Sequence, residues 1–364
     1  MSQTIVFTGG GSAGHVTGNL VLISKCAEEN WEIHYIGSAQ GIERKLVQRH
    51  EEVTYHPIST GKLRRYFSWD NVKDVTKVVK GIIQSYRLLR EIKPDVVFSM
   101  GGFVSVPVVL GAKLRRIPIL IHEPDLNMGL ANRIARPLAN QMCTTFPETA
   151  EANSSRHARF TGPIIRPELR TGNTLQGLTL CGFTADRPVV LIMGGSQGAQ
   201  RINQMVQHTL SELTKSFQIV HICGKGKMDE TVTMPGYRAF EFVGDELPDL
   251  LAMADIVVSR AGSNSIMELL TLHKPMLLIP HAHGGSLKGQ VENAQYFHQR
   301  GYASVLLEQD LNEQAFLEAT MALYLNRRTY TKSMRMHQDG EGANQVMACI
   351  QEISGVWNQT VRKA

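Results

Sequence analysis

Four side chains stand where their chemistry could be used. His15 follows the turn GGSAG at Gly10 to Gly14, and its imidazole, titrating near neutrality, could take a proton from an attacking hydroxyl or simply hydrogen-bond backbone at a helix start. Glu268 lies one helical turn into DIVVSRAGSNSIMELL, Asp255 to Leu270, where a strand ends at Ser259, small residues follow and a helix begins around Asn264. Backbone N–H groups from Ser263 to Ser265 can there face a diphosphate without side-chain charge. The Glu268 carboxylate can accept hydrogen bonds from two vicinal hydroxyls, as a ribose offers, or be an early-helix glutamate favoured by the dipole. Arg166 could neutralise a phosphate, and Ser196, in a second turn GGSQG at Gly194 to Gly198, could offer one its hydroxyl and N–H. No Asp-X-Asp occurs in the chain. The expectation is therefore no metal on the diphosphate, with helix N-termini and Arg166 stabilising the leaving group instead.

Two further loops carry candidates. IHEPDLNMGLAN, Ile121 to Asn132, ends a strand in His122-Glu123 with Asp125 nearby, and MGGFVSVP, Met100 to Pro107, opens with the flexible pair Gly101-Gly102 before Phe103. His122 and the acids could serve acid/base chemistry or brace the loop through backbone hydrogen bonds. Gly9, Gly11 and Gly14 also satisfy G-x-G-x-x-G, so a dinucleotide site must be considered. Its test is an acid ending the second strand, but WEIHYIGS ends in Gly37-Ser38. Neither glycine turn is followed by Gly-Lys-Ser/Thr, so neither is a nucleoside-triphosphate loop.

The elements that must position these residues repeat. Apolar, β-branched runs (TIVFT, EIHYIG, DVVFSM, IPILIHE, QMCTTF) alternate with helical stretches such as Leu20 to Glu29 and Asn71 to Glu91, the rhythm of a parallel sheet wrapped by helices. PVVLIMGG, FQIVHICG, RAFEFVG, DIVVSRAG and PMLLIPH repeat it. The rhythm pauses in FTGPIIRPELR, where two prolines and a glycine break regular structure. The expected class is α/β, with two Rossmann-like doubly wound domains, residues 1–163 and 164–341, facing across a cleft. A helix over about 342–364 is expected to pack back on the first domain.

At 364 residues, 43% of them hydrophobic and 20% charged, the chain suits two globular domains. Five scattered cysteines without a C-x-x-C pair argue for a reducing compartment and against a zinc site. No basic leader precedes Thr4, and the longest uncharged stretch, Val96 to Ala112, is broken by Gly101, Gly102 and Pro107, so neither secretion nor a membrane span is expected. From Lys62 to Arg90 eight Lys or Arg residues face only Asp70 and Asp74, a net +6 against +5 for the whole chain. Such a run suits nucleic acid or an anionic membrane, or is a solvated face. On the helix there, Val72, Val75, Val78, Val79, Ile82, Ile83, Tyr86 and Leu89 form one apolar stripe, mostly core. Val72, Val79 and Ile83 lie at its edge beside Arg87 and Arg90, the form of an apolar foot ringed by cations.

TGGGSAGH, GKLRRYF, KPDVVFSMGGFVSVPVV, HEPDLNMGLAN, GGSQGAQRIN, SRAGSNSIMELL and GQVENA, in this order over nearly the whole chain, resemble the MurG family. These bacterial glycosyltransferases add N-acetylglucosamine to the lipid-linked muramoyl-pentapeptide precursor of peptidoglycan. The resemblance implies the GT-B fold and an inverting transfer from UDP-N-acetylglucosamine to the muramoyl 4-hydroxyl, needing no cofactor and no metal, as part of cell wall biogenesis and hence cell shape and division. By position it implies that Ser12, Ala13 and Gly14 meet the sugar and the acceptor diphosphate and that His15 is the base. Asp125 falls where many relatives have an asparagine touching the sugar. Arg166 and Ser196 match donor-phosphate contacts, Asn203 a polar position near the donor cleft, and Val243 a backbone contact to uracil. Ser263, Asn264, Ser265, Ile266, Met267 and Glu268 match the phosphate loop and ribose carboxylate, Gln290 a contact to the sugar hydroxyls. Gly101, Gly102, Phe103, His122 and Glu123 would belong to acceptor loops. The implied partners are UDP-N-acetylglucosamine, the undecaprenyl-linked acceptor and an anionic membrane, not nucleic acid, which places the chain peripherally on the cytoplasmic face of the cell membrane. The rivals are a UDP-N-acetylglucosamine 2-epimerase or glycolipid synthase, a nicotinamide dehydrogenase, and an inactive membrane-binding relative.

Overall fold

The computed structural model describes residues 2–61, 69–154, 157–194, 199–281, 287–337 and 341–361, the side chains of 69–74, 287–288 and 356–361 excepted. Ser196, Lys62, Arg64 and Arg65 lie outside the described residues, and Val72 is described by its backbone alone. The chain divides into two compact units, Met1–Ile165 with Gly340–Ala364, and Arg166–Asp339.

In the first unit strands and helices alternate: β1 (Thr4–Thr8), α1 (Gly14–Glu28), β2 (Glu32–Ser38), α2 (Ile42–Val47), β3 (Val53–Ile58), α3 (Trp69–Ile92), β4 (Val96–Ser99), α4 (Ser105–Leu114), β5 (Ile119–Glu123), α5 (Leu130–Ala135), β6 (Gln141–Thr144), α6 (Pro147–Glu151) and β7 (Ala158–Phe160). Among the described residues these strands form one parallel sheet in the order β3-β2-β1-β4-β5-β6-β7. Its central strands are short, β-branched and buried along their length, as VVFS of β4 and ILIHE of β5 are, because helices cover both faces. One face packs Val16, Leu22, Ile23 and Cys26 of α1 against Phe7 and Phe98; the other packs Val108, Val109 and Ala112 of α4 with Leu89 of α3.

The second unit opens with a 3-10 turn at Pro167–Thr171. It continues with α7 (Thr174–Cys181), β8 (Val189–Met193), α8 (Gln200–Ser216), β9 (Gln218–Ile222), β10 (Tyr237–Phe240), α9 (Leu247–Met253), β11 (Ile256–Ser259), α10 (Ser263–Thr271), β12 (Met276–Leu278), α11 (Leu287–Gln299), β13 (Ala303–Val305), α12 (Glu313–Leu325) and α13 (Arg327–Arg335). Its strands, again parallel, run β10-β9-β8-β11-β12-β13. On α8, Ile202, Val206, Leu210 and Leu213 recur at three- and four-residue spacing and enter the core of this unit. The last helix, α14 (Gly342–Val361), belongs to the first unit, where Val346, Met347, Cys349 and Ile350 join the core beside α1.

Three strands are not anticipated by the sequence reading. β3 alternates partly exposed positions and contains Pro57, which an edge strand tolerates because one side of its backbone faces no partner. β7 and β13 are three-residue edge strands with little apolar signal. α1 begins at Gly14, well before Leu20, so His15 occupies a helical first turn.

The strand orders decide where ligands can be held. In each unit the crossovers reverse direction between two adjacent strands, β1 and β4 in the first, β8 and β11 in the second. Loops leaving such a switch point at the carboxyl ends diverge and leave a crevice over the sheet. The turns after β1, β4, β8 and β11 are all among those singled out by sequence, residues 195–198 of the β8 turn lying outside the described residues.

Candidate functional site

In the first unit the turn after β1 is held from beneath. Tyr35 of β2 donates its hydroxyl hydrogen to the Gly9 carbonyl (2.8 Å), and Asn19 of α1 donates to the Thr8 carbonyl (3.2 Å) and the Tyr35 hydroxyl (3.1 Å). The loop after β4 presses on it. Gly102, at φ +79°, is the residue that the close approach of the Gly10 carbonyl requires, since any Cβ there would collide with that oxygen. Gly11, at φ +85°, lies against the Phe103 ring in the same way. The glycines that sequence reads as room for a ligand are thus used, in large part, to interlock two loops of the protein.

His15 emerges from this packed turn. Its Nδ1 is 2.6 Å from Ser12 Oγ. A neutral imidazole that donates from Nδ1 to Ser12 leaves Nε2 as an acceptor, the tautomer a base needs. Burial lowers the His15 pKa below the ordinary 6.5, and the Asp125 carboxylate opposes this by stabilising the imidazolium. The base form therefore predominates at neutral pH, and activity that depends on it falls as pH drops through that lowered value. Asp125→Asn removes the opposing charge, so the acidic limb of the kcat–pH profile is expected to move to lower pH. A limb that stays put or moves up would remove His15 as the titrating base.

The acids of the β5 loop mostly brace. Glu123 accepts from the N–H groups of Asp125 (3.1 Å) and Gly129 (3.0 Å) and from Asn132 Nδ2 (3.0 Å), and Asn132 Nδ2 also reaches the His122 carbonyl (2.9 Å). Burial, then Asp125, raises the Glu123 pKa to about 8. His122 is buried, and burial holds its pKa at about 4, against an opposing pull from the Gly162 backbone. For Glu123 the contacts support bracing; His122 contributes its carbonyl to the same set.

In the second unit the strand–turn–helix at β11 and α10 has the form expected of a diphosphate corner. The helix ladder starts with Ile266 N–H to the Gly262 carbonyl (3.0 Å), so the amides of Ser263 and Ser265 are not consumed by it. Glu268 and Arg166 are 102 residues apart in sequence yet form one bidentate pair, Nε to Oε1 at 2.8 Å and Nη2 to Oε2 at 3.0 Å. The pair satisfies a largely buried carboxylate, and because a carboxylate offers about four acceptor positions, two remain for hydroxyls. Arg260, just before the corner, pairs with buried Glu308 (2.6 Å), whose other oxygen lies 3.1 Å from His281 Nδ1. The His281 backbone N–H in turn donates to Gln290 Oε1 (3.2 Å). Val243 is buried in the turn after β10. Asn203 donates to the Cys223 carbonyl (2.9 Å) and lies 3.0 Å from His221 Nε2, so its side chain braces α8 against β9.

The foot on α3 differs from its sequence reading at one residue. Val75, read as core, is 50% exposed and aligns with Val79 (51%) and Ile83 (49%) at four-residue spacing. Lys80, Arg87 and Arg90 are exposed beside that row, and Lys77 is exposed on another side of the helix. The stripe facing α4 is rotated, with Gly81, Ser85 and Leu89 buried, because Gly81 and Ser85 let the two helices approach closely.

Comparison with known proteins accounts for both units. Residues 5–144 match the glycosyltransferase family 28 N-terminal domain and residues 189–348 the family 28 C-terminal domain. Over 97% of its length the chain is 52% identical to a UDP-N-acetylglucosamine–N-acetylmuramyl-(pentapeptide) pyrophosphoryl-undecaprenol N-acetylglucosamine transferase of Bacillus cereus, covering 99% of it. A Geobacillus kaustophilus protein of the same description is 50% identical, with 97% and 99% covered. The crystal structure of MurG from Acinetobacter baumannii aligns with a TM-score of 0.73 at 21% identity over 97% of this chain and 100% of that one, which shows a shared GT-B fold. With both halves of its sequence matched in order, the chain belongs to glycosyltransferase family 28.

Proposed function

We propose that this protein transfers N-acetylglucosamine from UDP-N-acetylglucosamine to the 4-hydroxyl of undecaprenyl-linked muramoyl-pentapeptide, with inversion, in peptidoglycan synthesis. What carries the reading is identity of 50% or more, along nearly the whole chain, to relatives described by that transfer. The second unit supplies a corner suited to the donor. Ser263 and Ser265 amides would face the diphosphate, Glu268 the ribose and Gln290 the sugar, while Arg166, held on Glu268 within reach of the same corner, would balance charge as UDP departs. His15 of the first unit would take the proton of the attacking hydroxyl on Nε2, its ring oriented by Ser12.

UDP release measured with and without a short-chain acceptor analogue tests this. Release is expected only when the muramoyl acceptor is present. Release from donor alone, with water as the acceptor, would indicate a hydrolysing 2-epimerase, and release driven by diacylglycerol instead would indicate a glycolipid synthase.

The acceptor is lipid-anchored, and the α3 foot fits a peripheral place at the cytoplasmic face of the membrane. Among the described residues no helix is long and apolar enough to cross a membrane. Exposed Val75, Val79 and Ile83 would enter the headgroup boundary, with Lys80, Arg87 and Arg90 on anionic lipids. At about 1 kcal/mol per cation, Arg87→Ala with Arg90→Ala should weaken binding to phosphatidylglycerol vesicles about thirty-fold. Co-sedimentation equal to that of the parent would remove α3 from the membrane contact.

A further inference from the structure

The turn that carries His15 rests on a carboxylate outside the sequence reading. Glu43 of the short helix α2 is fully buried, and none of the ion pairs among the described residues includes it. Its oxygens are taken by the first loop and the end of β2 instead. Oε2 accepts from the Gly11 N–H (3.3 Å), and Oε1 from the Ser38 N–H (3.1 Å) and the Ser38 hydroxyl. The Ser38 hydroxyl oxygen accepts from the Gly41 N–H (2.9 Å), and Tyr55 fixes the Ser38 carbonyl (2.7 Å). Gly10 is cleared for the same group: a Cβ there would lie 2.6 Å from Glu43 Cδ.

This placement has two consequences. An acid does stand beside the glycine turn at the end of β2, where a dinucleotide fold keeps its ribose ligand. Both of its oxygens are engaged by the protein's own backbone and side chains, which counts against the nicotinamide reading. The Gly11 amide is likewise not available to an acceptor phosphate. A turn whose amide is held by a buried carboxylate is shaped before any ligand arrives, and the next residue after Gly11 is Ser12, which holds His15 Nδ1.

We infer that Glu43 is a positioning residue for His15, acting through Gly11 and Ser12 to set the ring in the tautomer and direction a base requires. The inference rests on the transfer reading above, and turnover by the parent enzyme tests that reading separately. Glu43→Gln keeps the shape but puts an amide NH₂ against donors already present. Losing one charge-assisted hydrogen bond should lower kcat about ten-fold or more, with KM for UDP-N-acetylglucosamine within about two-fold and a cooperative melt retained. A purely structural group would instead lower the melting temperature and the active fraction without changing turnover per active site.

The discriminating measurement is a cycle with His15→Ala. In that background Glu43→Gln should cost almost nothing further, because the two act in series. Equal losses in both backgrounds, or Glu43→Gln turning over like the parent, would overturn the inference. Should Glu43→Gln not fold, Ser38→Ala, which removes one donor to Oε1, is expected to show a smaller kcat loss with the same dependence on His15. Independence from His15 there would overturn it equally.

Discussion

His15→Ala is expected to lower kcat by about a hundred- to ten-thousand-fold, the range for losing a positioned general base, with KM for UDP-N-acetylglucosamine nearly unchanged. The split follows from geometry. His15 lies in the first unit on the first turn of α1, whereas the residues assigned to the donor's uridine diphosphate, Arg166, Ser263, Ser265 and Glu268, lie in the second. An interaction made only while the hydroxyl loses its proton affects kcat and kcat/KM together. Ser12→Ala should reproduce a fraction of the loss, because the ring would keep its nitrogen but lose the 2.6 Å contact that chooses its tautomer. Normal turnover by His15→Ala would assign the proton to another group. Glu123 would be the first to examine, since burial raises its pKa to about 8, within reach of proton exchange near neutrality.

Glu268→Ala is expected to raise the donor KM about a hundred-fold while changing kcat far less. Two hydrogen bonds from ribose hydroxyls to a carboxylate contribute about 1.5–3 kcal/mol each, and about 2.7 kcal/mol already corresponds to a hundred-fold in affinity. The substitution also leaves Arg166 without the partner it holds at 2.8 and 3.0 Å. Because the carboxylate is largely buried and the guanidinium only about a quarter exposed, leaving Arg166 unpaired should also lower fold stability. Glu268→Gln separates the contributions: it keeps one oxygen for a hydroxyl but ends the bidentate match to Arg166. An intermediate KM is expected. Unchanged donor kinetics in Glu268→Ala would reject the ribose role and leave the Arg166 pair as a structural tie.

Much of this was legible in sequence because burial on both faces writes central strands as short β-branched runs. TIVFT, DVVFSM, PVVLIMGG and DIVVSRAG fall on β1, β4, β8 and β11, the strands flanking the two switch points. β3 was not legible, since an edge strand half exposed and interrupted by Pro57 carries neither an apolar run nor clean alternation. At the site, residues presented by a local turn could be read: Ser12 with His15, and Ser263 with Glu268. Partnerships between distant segments could not. Nothing near Arg166 points to Glu268, and nothing near Arg260 points to Glu308. Glu43 escaped because the acid was sought on the strand itself, whereas it comes from the helix five residues past Ser38 and folds back beneath Gly10 and Gly11. Val75 was misplaced because a helical stripe has two edges. The pattern alone does not say that small residues, Gly81 and Ser85, set which edge packs on α4.

The central claim is that the second unit alone holds the uridine diphosphate of the donor at the turn between β11 and α10. A crystal structure of the enzyme with UDP-N-acetylglucosamine tests it most directly. The account predicts the diphosphate against the Ser263 and Ser265 amides and both ribose hydroxyls on Glu268. Density for the nucleotide at the Gly10 to Gly14 turn, or anywhere away from Ser263 to Glu268, would contradict it.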